Sequence, residues 1–327
     1  MNSASRVRAS RARPEYADDS LRAEVVTGLQ ATPARLPCKL FYDQRGAELF
    51  DAITRTQAYY PTRVEIGILE AAKTEIAETV GAHAYVVELG SGSGRKTQIL
   101  LDALARPAGY TPIDVSHDQL HAFAAALRRA RPELLVRPLC ADYTRPFELP
   151  TRPPGSERTL VFFPGSTVGN FEPLEALRFL RRLRSHCTPD GALLIGVDLK
   201  KDRATLEHAY NDPEGITAEF NLNILAHINH KLGADFELSA FRHHAIYNES
   251  AARIEMHLIS LSDQVVTIPG SPDTHIHFTA GQTIVTEHSY KYDLDEFERL
   301  GVSAGFARER RWTDQAERFA VLLFRGE

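Results

Sequence analysis

The 327-residue chain is 43% hydrophobic and 25% charged, ordinary usage for one large globular domain or two moderate ones. Its net charge of −5 and pI near 6.2 give no global basic field, so nucleic acid is not an expected partner; the pairs Arg128-Arg129 and Arg181-Arg182 read as solvated helix faces. No apolar run reaches the roughly 18 residues of a membrane-crossing helix. The three cysteines, Cys38, Cys140 and Cys187, are too dispersed for a disulfide scaffold and fit a reducing, cytoplasmic setting.

In chain order, residues 1–15 are rich in Ser, Arg and Ala with no apolar core, which fits a disordered tail rather than a secretory signal. The first strong signal is the apolar run Tyr85-Val86-Val87-Glu88-Leu89, opening into Gly90-Ser91-Gly92-Ser93-Gly94. Such a run reads as a buried parallel strand, and residues 96–104 as the helix after it. Glycines in the connecting loop let the backbone turn tightly and approach a ligand. A P-loop requires a second glycine where Arg95 stands, so that near-match fails. A dinucleotide loop requires G-x-G-x-x-G, whereas the spacing here is G-x-G-x-G, and Glu88 is poor company for a pyrophosphate. The carboxylate instead suits a cofactor bearing positive charge, such as the ammonium and sulfonium of S-adenosylmethionine. The plain structural alternative is a glycine turn with no ligand.

The next segments favour a ligand. Residues 109–115 read as a second strand whose Asp114 lies 24 positions after Gly90, near the distance at which an acid meets a ribose diol. Ser116 is expected to cap the following helix through its side-chain oxygen. Residues 139–143 read as a third strand ending in Asp142 and Tyr143, able to bond an adenine amino group and flank its ring. Strands at 159–164 and 192–198 surround a helix at 173–185, and a helix at 294–300 precedes strands at 307–313 and 319–324. Together these predict an α/β, doubly wound, seven-stranded Rossmann-like sheet.

About 90 residues, roughly 201–291, interrupt that pattern with helices near 202–210 and 214–232 and alternating strands such as 253–258. An insert of this size is a candidate α+β substrate domain. The expected division is 16–63 plus 201–291 for substrate, and 64–200 plus 292–327 for cofactor. The pairs His227 with His230 and His275 with His277 could each supply two metal ligands, but neither has a carboxylate or cysteine at a convincing spacing. They read as surface histidines, and no metal is expected.

Many sequence blocks in one order give the chain a specific resemblance, from about Ala23 onward. They include Phe41-Tyr42-Asp43, Tyr59-Tyr60-Pro61-Thr62-Arg63, Glu88-Leu89-Gly90-Ser91-Gly92, Phe163-Pro164-Gly165-Ser166-Thr167-Val168-Gly169-Asn170, Ala209-Tyr210-Asn211-Asp212, Arg253-Ile254-Glu255-Met256 and Thr286-Glu287-His288-Ser289. In these the chain resembles the S-adenosylmethionine-dependent L-histidine Nα-methyltransferases of ergothioneine biosynthesis, which carry a class I methyltransferase sheet. The resemblance implies that Tyr42, Gly90, Lys96, Asp114, Asp142 and Tyr143 hold the cofactor, Tyr143 standing where the family commonly has Phe. It implies that Tyr59, Gly165, Asn170 and Tyr210 grip the amino-acid backbone, with Tyr59 and Asn170 as the catalytic residues, and that Met256, Glu287 and Ser289 line an imidazole pocket. Gly94-Arg95 departs from the family loop. The expected reaction is methylation of L-histidine to hercynine by a monomer; the alternatives are a homologous N-methyltransferase for another aromatic amine, or a P-loop nucleotide-binding protein.

Overall fold

The computed structural model describes residues 15–92, 94–187 and 190–326. The tail expected over 1–15 therefore lies almost wholly outside the described residues. The described chain opens with helix α1 (Glu15–Leu29) and strand β1 (Ala34–Arg35), followed by α2 (Gln44–Ile53) and α3 (Tyr60–Val80). Asp43 caps α2 by accepting the Gly46 amide at 2.7 Å, and Pro61 starts α3 where a missing N–H costs nothing. Strand β2 (Ala84–Leu89) is buried along its whole length, and α4 (Arg95–Ala103) follows from Gly94, whose φ of +73° is left-handed. A Cβ on Gly94 would stand 2.2 Å from the Phe123 ring, so only glycine fits there.

Then come β3 (Gly109–Asp114), α5 (His117–Ala130), β4 (Leu139–Cys140), β5 (Arg158–Phe163), α6 (Pro173–His186) and β6 (Ala192–Asp198). The Ser116 side chain does not cap α5; its amide donates instead to Asp114 Oδ1 at 3.0 Å. That bond makes an Asx-type turn at the end of β3, which leads the chain into α5. The strand expected over 139–143 stops at Cys140, so Asp142 and Tyr143 lie in the loop beyond it.

The insert comprises α7 (Arg203–Tyr210), α8 (Ile216–Leu232), β7 (Phe241–Asn248), β8 (Arg253–Ser260), β9 (Gln264–Ile268), β10 (Thr274–Phe278) and β11 (Thr283–Tyr290). Helix α9 (Leu294–Ser303) and strands β12 (Phe306–Thr313) and β13 (Phe319–Gly326) complete the chain. The main sheet runs β12-β13-β6-β5-β2-β3-β4, parallel except for β13, which is antiparallel to both neighbours. This is the predicted seven-stranded, Rossmann-like fold. Strand order reverses at β2, between β3 and β5, and in such sheets the ligand crevice opens at the carboxyl ends of the strands flanking that point.

A second sheet, β1-β11-β8-β7, joins the N-terminal segment to the insert, with β1 parallel to β11. A bulge separates Val285 from Glu287, so that Ile284 faces Leu258 and Glu287 faces Met256. Leu258 and Met256 share one face of β8, so the bulge brings Ile284 and Glu287 onto one face although they are three positions apart. Glu287 and Ser289 then follow the buried row of Leu258, Met256 and Ile254.

Asp212 anchors the start of α8, its carboxylate accepting the amides of Ile216 at 2.8 Å and Thr217 at 2.7 Å. Burial alone would raise its pKa, but these bonds, Thr217's above all, hold it below the ordinary carboxylate value. Asp212→Ala should therefore cost roughly 0.5–2 kcal/mol in denaturant unfolding at neutral pH. A lowered pKa means that this contribution is present above the unfolded carboxyl's pKa and fades as pH falls through the folded one. The difference between wild type and variant should shrink on acidification.

Candidate active site

The carboxyl ends of β2, β3 and β5 converge with β11 of the second sheet. After β2 the backbone turns at Gly90, whose φ of +72° is a left-handed conformation that a side chain would strain, with Tyr143 beside it. Tyr143 itself packs edge-on to Phe163, with centroids 5.8 Å apart. Asp114, at the tip of β3, accepts the Ser116 amide on Oδ1 at 3.0 Å. Asp142 is more fully engaged, its Oδ1 accepting both the amide and the hydroxyl of Thr144.

Two expectations about this loop change. Glu88 does not present a free carboxylate to a cofactor: Oε2 accepts the hydroxyls of Thr97 and Tyr110 within the core, and burial pushes its pKa up to about 7. Its alternation on β2 points it beneath the loop, into the sheet-helix layer, rather than along the strand axis. Lys96 pairs with buried Glu65 of α3, which also accepts the Gly165 amide at 2.9 Å and 3.0 Å. The lysine thus ties the glycine loop to the Gly165 turn, and is not free to meet phosphates as a P-loop lysine must be.

Beside Gly165 a 3₁₀ turn (Thr167–Asn170) is pressed against β11. Gly169 makes that possible, since a Cβ there would sit 2.7 Å from the Tyr290 carbonyl oxygen. The next residue, Asn170, reaches Glu287 Oε2 with its amide nitrogen at 3.4 Å. Burial pushes Glu287 up to about 7, against the opposing pull of Lys291 and of the Asn170 bond. Tyr210, ending α7, donates its hydroxyl to Ser289 Oγ at 2.9 Å. Tyr42, Phe50 and Tyr59 form an aromatic wall of edge contacts that continues to Tyr210, 6.1 Å from Tyr59.

Tyr59, Gly165, Asn170, Tyr210, Glu287 and Ser289, expected at the substrate, therefore line one cavity together with Tyr42, expected at the cofactor. Met256 does not line it; it is 2% exposed and lies opposite Glu287 in register, forming the wall behind. Gly90, Lys96, Asp114, Asp142 and Tyr143 surround the adjoining strand ends.

Sequence reasoning missed the floor of the cavity. Asp198, at the end of β6, and Lys291, just past β11, form an ion pair at 2.9 Å with both side chains 1% exposed. Asp198 also accepts Tyr60's hydroxyl at 2.8 Å and Lys201's ammonium at 2.7 Å. Burial would raise its pKa, but the two ammonium groups hold it below the ordinary value. The available signal was an acid ending the fifth strand, as acids end earlier ones. Of the four histidines weighed as ligands, His227 is tied to the Leu40 carbonyl at 2.8 Å. A hollow of about 510 Å³ between α3 and α4 lies at the amino ends of the strands, lined by Lys73, Thr74, Glu78, Gly81, Asp102 and Ala103 among others.

Gly169→Ala should push the 3₁₀ turn off β11. Overpacking of this kind costs roughly 1–3 kcal/mol, read as a lowered denaturation midpoint. The control is Gly67→Ala in α3, where a Cβ would meet nothing within 4 Å and stability should hold or rise.

Comparison with known proteins bears on this geometry. The sequence model of the family described as "Histidine-specific methyltransferase, SAM-dependent" matches residues 21–326. The chain is 43% identical to "Histidine N-alpha-methyltransferase" of Mycobacterium tuberculosis (strain CDC 1551 / Oshkosh), covering 93% of this chain and 94% of that one. It is 32% identical to "Ergothioneine biosynthesis protein 1" of Neurospora crassa, over 86% of this chain and 32% of that longer protein. A more distant likeness, 28% over 91% of this chain and 92% of the other, is to "4-dimethylallyltryptophan N-methyltransferase easF" of Epichloe festucae var. lolii. The chain belongs to the S-adenosylmethionine-dependent, histidine-specific methyltransferase family.

Proposed function

We propose that the protein transfers methyl groups from S-adenosylmethionine to the α-amine of L-histidine, three times over, giving hercynine for ergothioneine biosynthesis. The observation that carries this reading is the joint cavity in which a carboxylate, Glu287, stands two residues from a hydroxyl, Ser289, beside Asn170 and Tyr210. An acceptor and a hydroxyl so placed match an imidazole bearing one N–H and one bare nitrogen. Tyr59, Asn170 and Tyr210 serve the amino-acid backbone, and Tyr59 and Asn170 hold the amine for attack. Met256 backs Glu287 and limits the ring's size.

The residues of the glycine loop fit the cofactor. Gly90 turns the chain beside Tyr143 at the end of β2, and the Asp114 carboxylate is an acceptor for a ribose diol. Lys96 acts at one remove, through Glu65 and Gly165, and Asp142 orders the loop with Thr144. When bound, S-adenosylmethionine supplies an electrophilic methyl whose transfer neutralises the sulfonium. The protein's task is then mainly alignment, excluding water and holding the amine in line. Each methyl added removes an N–H from the substrate, so a grip that survives three transfers must rest on carboxylate and imidazole, which these residues supply.

Purified protein should convert L-histidine and labelled cofactor to mono-, di- and trimethylated products by mass spectrometry, in the presence of EDTA. Stopping at one methyl would overturn the threefold reading, and preference for a tryptophan derivative would favour the alternative amine. Asp114→Ala should weaken cofactor binding by about 1.5–3 kcal/mol in calorimetry, the usual cost of losing a bond to a charged group.

The raised pKa of Glu287 sets a pH dependence. Below about 7 the carboxyl is protonated and no longer a pure acceptor, so kcat/KM for histidine should rise with pH through that value. Glu287→Gln should lose this limb while keeping those of the substrate's own imidazole and amine. Superimposable profiles for the two proteins would remove Glu287 from ring recognition.

A further inference from the structure

Beneath the cavity, Lys291 Nζ lies 2.9 Å from Asp198 Oδ2, 2.9 Å from Ser289 Oγ and 3.0 Å from the Tyr210 hydroxyl. An ammonium has three protons and no lone pair, so these three acceptors use all of its capacity. Asp198 can only accept, and its other partners, Tyr60 and Lys201, come from the far side of the cavity floor. The consequence falls on the hydroxyls. Ser289 Oγ accepts from Lys291 and from Tyr210, filling both of its lone pairs. No hydrogen bond among the described residues takes the Ser289 proton. A serine hydroxyl can ordinarily rotate to give or to accept; this one is left only to give.

We propose that Lys291 is a positioning residue for substrate choice: by donating to both hydroxyls of the Tyr210–Ser289 pair, beside Tyr210's own bond to Ser289, it fixes Ser289 as a donor, opposite the acceptor Glu287. The cavity then reads a ring by polarity as well as size, requiring an N–H for Glu287 and a bare nitrogen for Ser289. Apolar rings of similar size, and rings with an N–H but no second nitrogen, leave a buried group unpaired. The inference rests on the proposed facing of Glu287 and Ser289 toward the imidazole. It adds a residue that acts through Ser289, and a direction for a proton.

The test compares L-histidine with a pyrrolylalanine, which keeps the ring N–H and lacks the bare nitrogen, as competing substrates. Wild type should favour histidine in kcat/KM by roughly a hundredfold, the scale on which an unpaired buried polar group discriminates. Ser289→Ala should lose about tenfold or more of that ratio, chiefly through histidine. Lys291→Met should lose a similar share with its fold intact by circular dichroism, and Lys291→Arg, which keeps charge and donors, should recover part of it. Because Lys291 acts through Ser289, the double variant should be no worse in ratio than Ser289→Ala alone.

A Lys291→Met protein that slows both substrates equally, or a double variant whose ratio losses multiply, would overturn the proposal. If Lys291→Met does not fold, Ser289→Ala still decides: slowing pyrrolylalanine as much as histidine would mean that Ser289 is not a donor to the bare nitrogen. Absence of histidine turnover in wild type would overturn the proposed function as well, whereas turnover with no ring discrimination would sink this inference alone.

Discussion

Everything at this site depends on one buried carboxylate. Asp198 receives Tyr60 from the start of α3, Lys201 from the approach to α7 and Lys291 from the end of β11. Those groups belong to the main sheet, the N-terminal segment and the insert, so the charge cluster is where the two sheets are fastened. An ion pair 1% exposed on both sides is not by itself a source of stability, because desolvation offsets much of the attraction. What it enforces is geometry: with either partner missing, a charge would remain buried and unpaired, so the sheets can close only in the arrangement that brings Lys291 to Asp198.

That closure determines what the cavity can do. The cofactor-side loop is held by Lys96, Glu65 and Gly165, and the substrate-side strand by Asn170 against Glu287 and by Lys291 under Ser289. Glu65 to Gly165 runs from helix to loop, and Asn170 to Glu287 from the turn after β5 to the second sheet. Reacting groups held by such links lose little freedom when ligands arrive, which is how a protein accelerates a transfer that needs little acid–base help. The raised pKa of Glu287 follows from the same enclosure: its carboxylate is desolvated by aromatic neighbours, and the lysine beneath compensates only in part.

Glycines set the tolerances of this assembly. Gly169 permits the 3₁₀ turn to lie against Tyr290, and through that contact Asn170 reaches Glu287. Gly94 permits α4 to start beneath Phe123, aligning Lys96 with Glu65. In neither place is flexibility the point; a side chain would simply occupy space that another part of the protein needs.

Much of this was legible in the primary structure. Buried parallel strands read as unbroken apolar runs, and β2, β5 and β6 have few other foldable states, so the seven-stranded, doubly wound sheet was determined by hydrophobic pattern and glycine placement. Blocks such as Gly165-Ser166-Thr167 and Thr286-Glu287-His288-Ser289 identified the family and grouped the cavity residues. The sequence could not orient them. Simple alternation along β11 places Glu287 with Thr283 and Val285, and only the bulge at Thr286 moves it to the buried row of Leu258 and Met256. Nor could spacing foresee that Glu88 turns inward to Thr97 and Tyr110, or that Asp198 and Lys291, 93 positions apart, would meet. A pattern of period two reports which residues share a face of an ideal strand; irregular pairing and the burial of a charge are settled by what packs against it, and that exists only once the two sheets have closed.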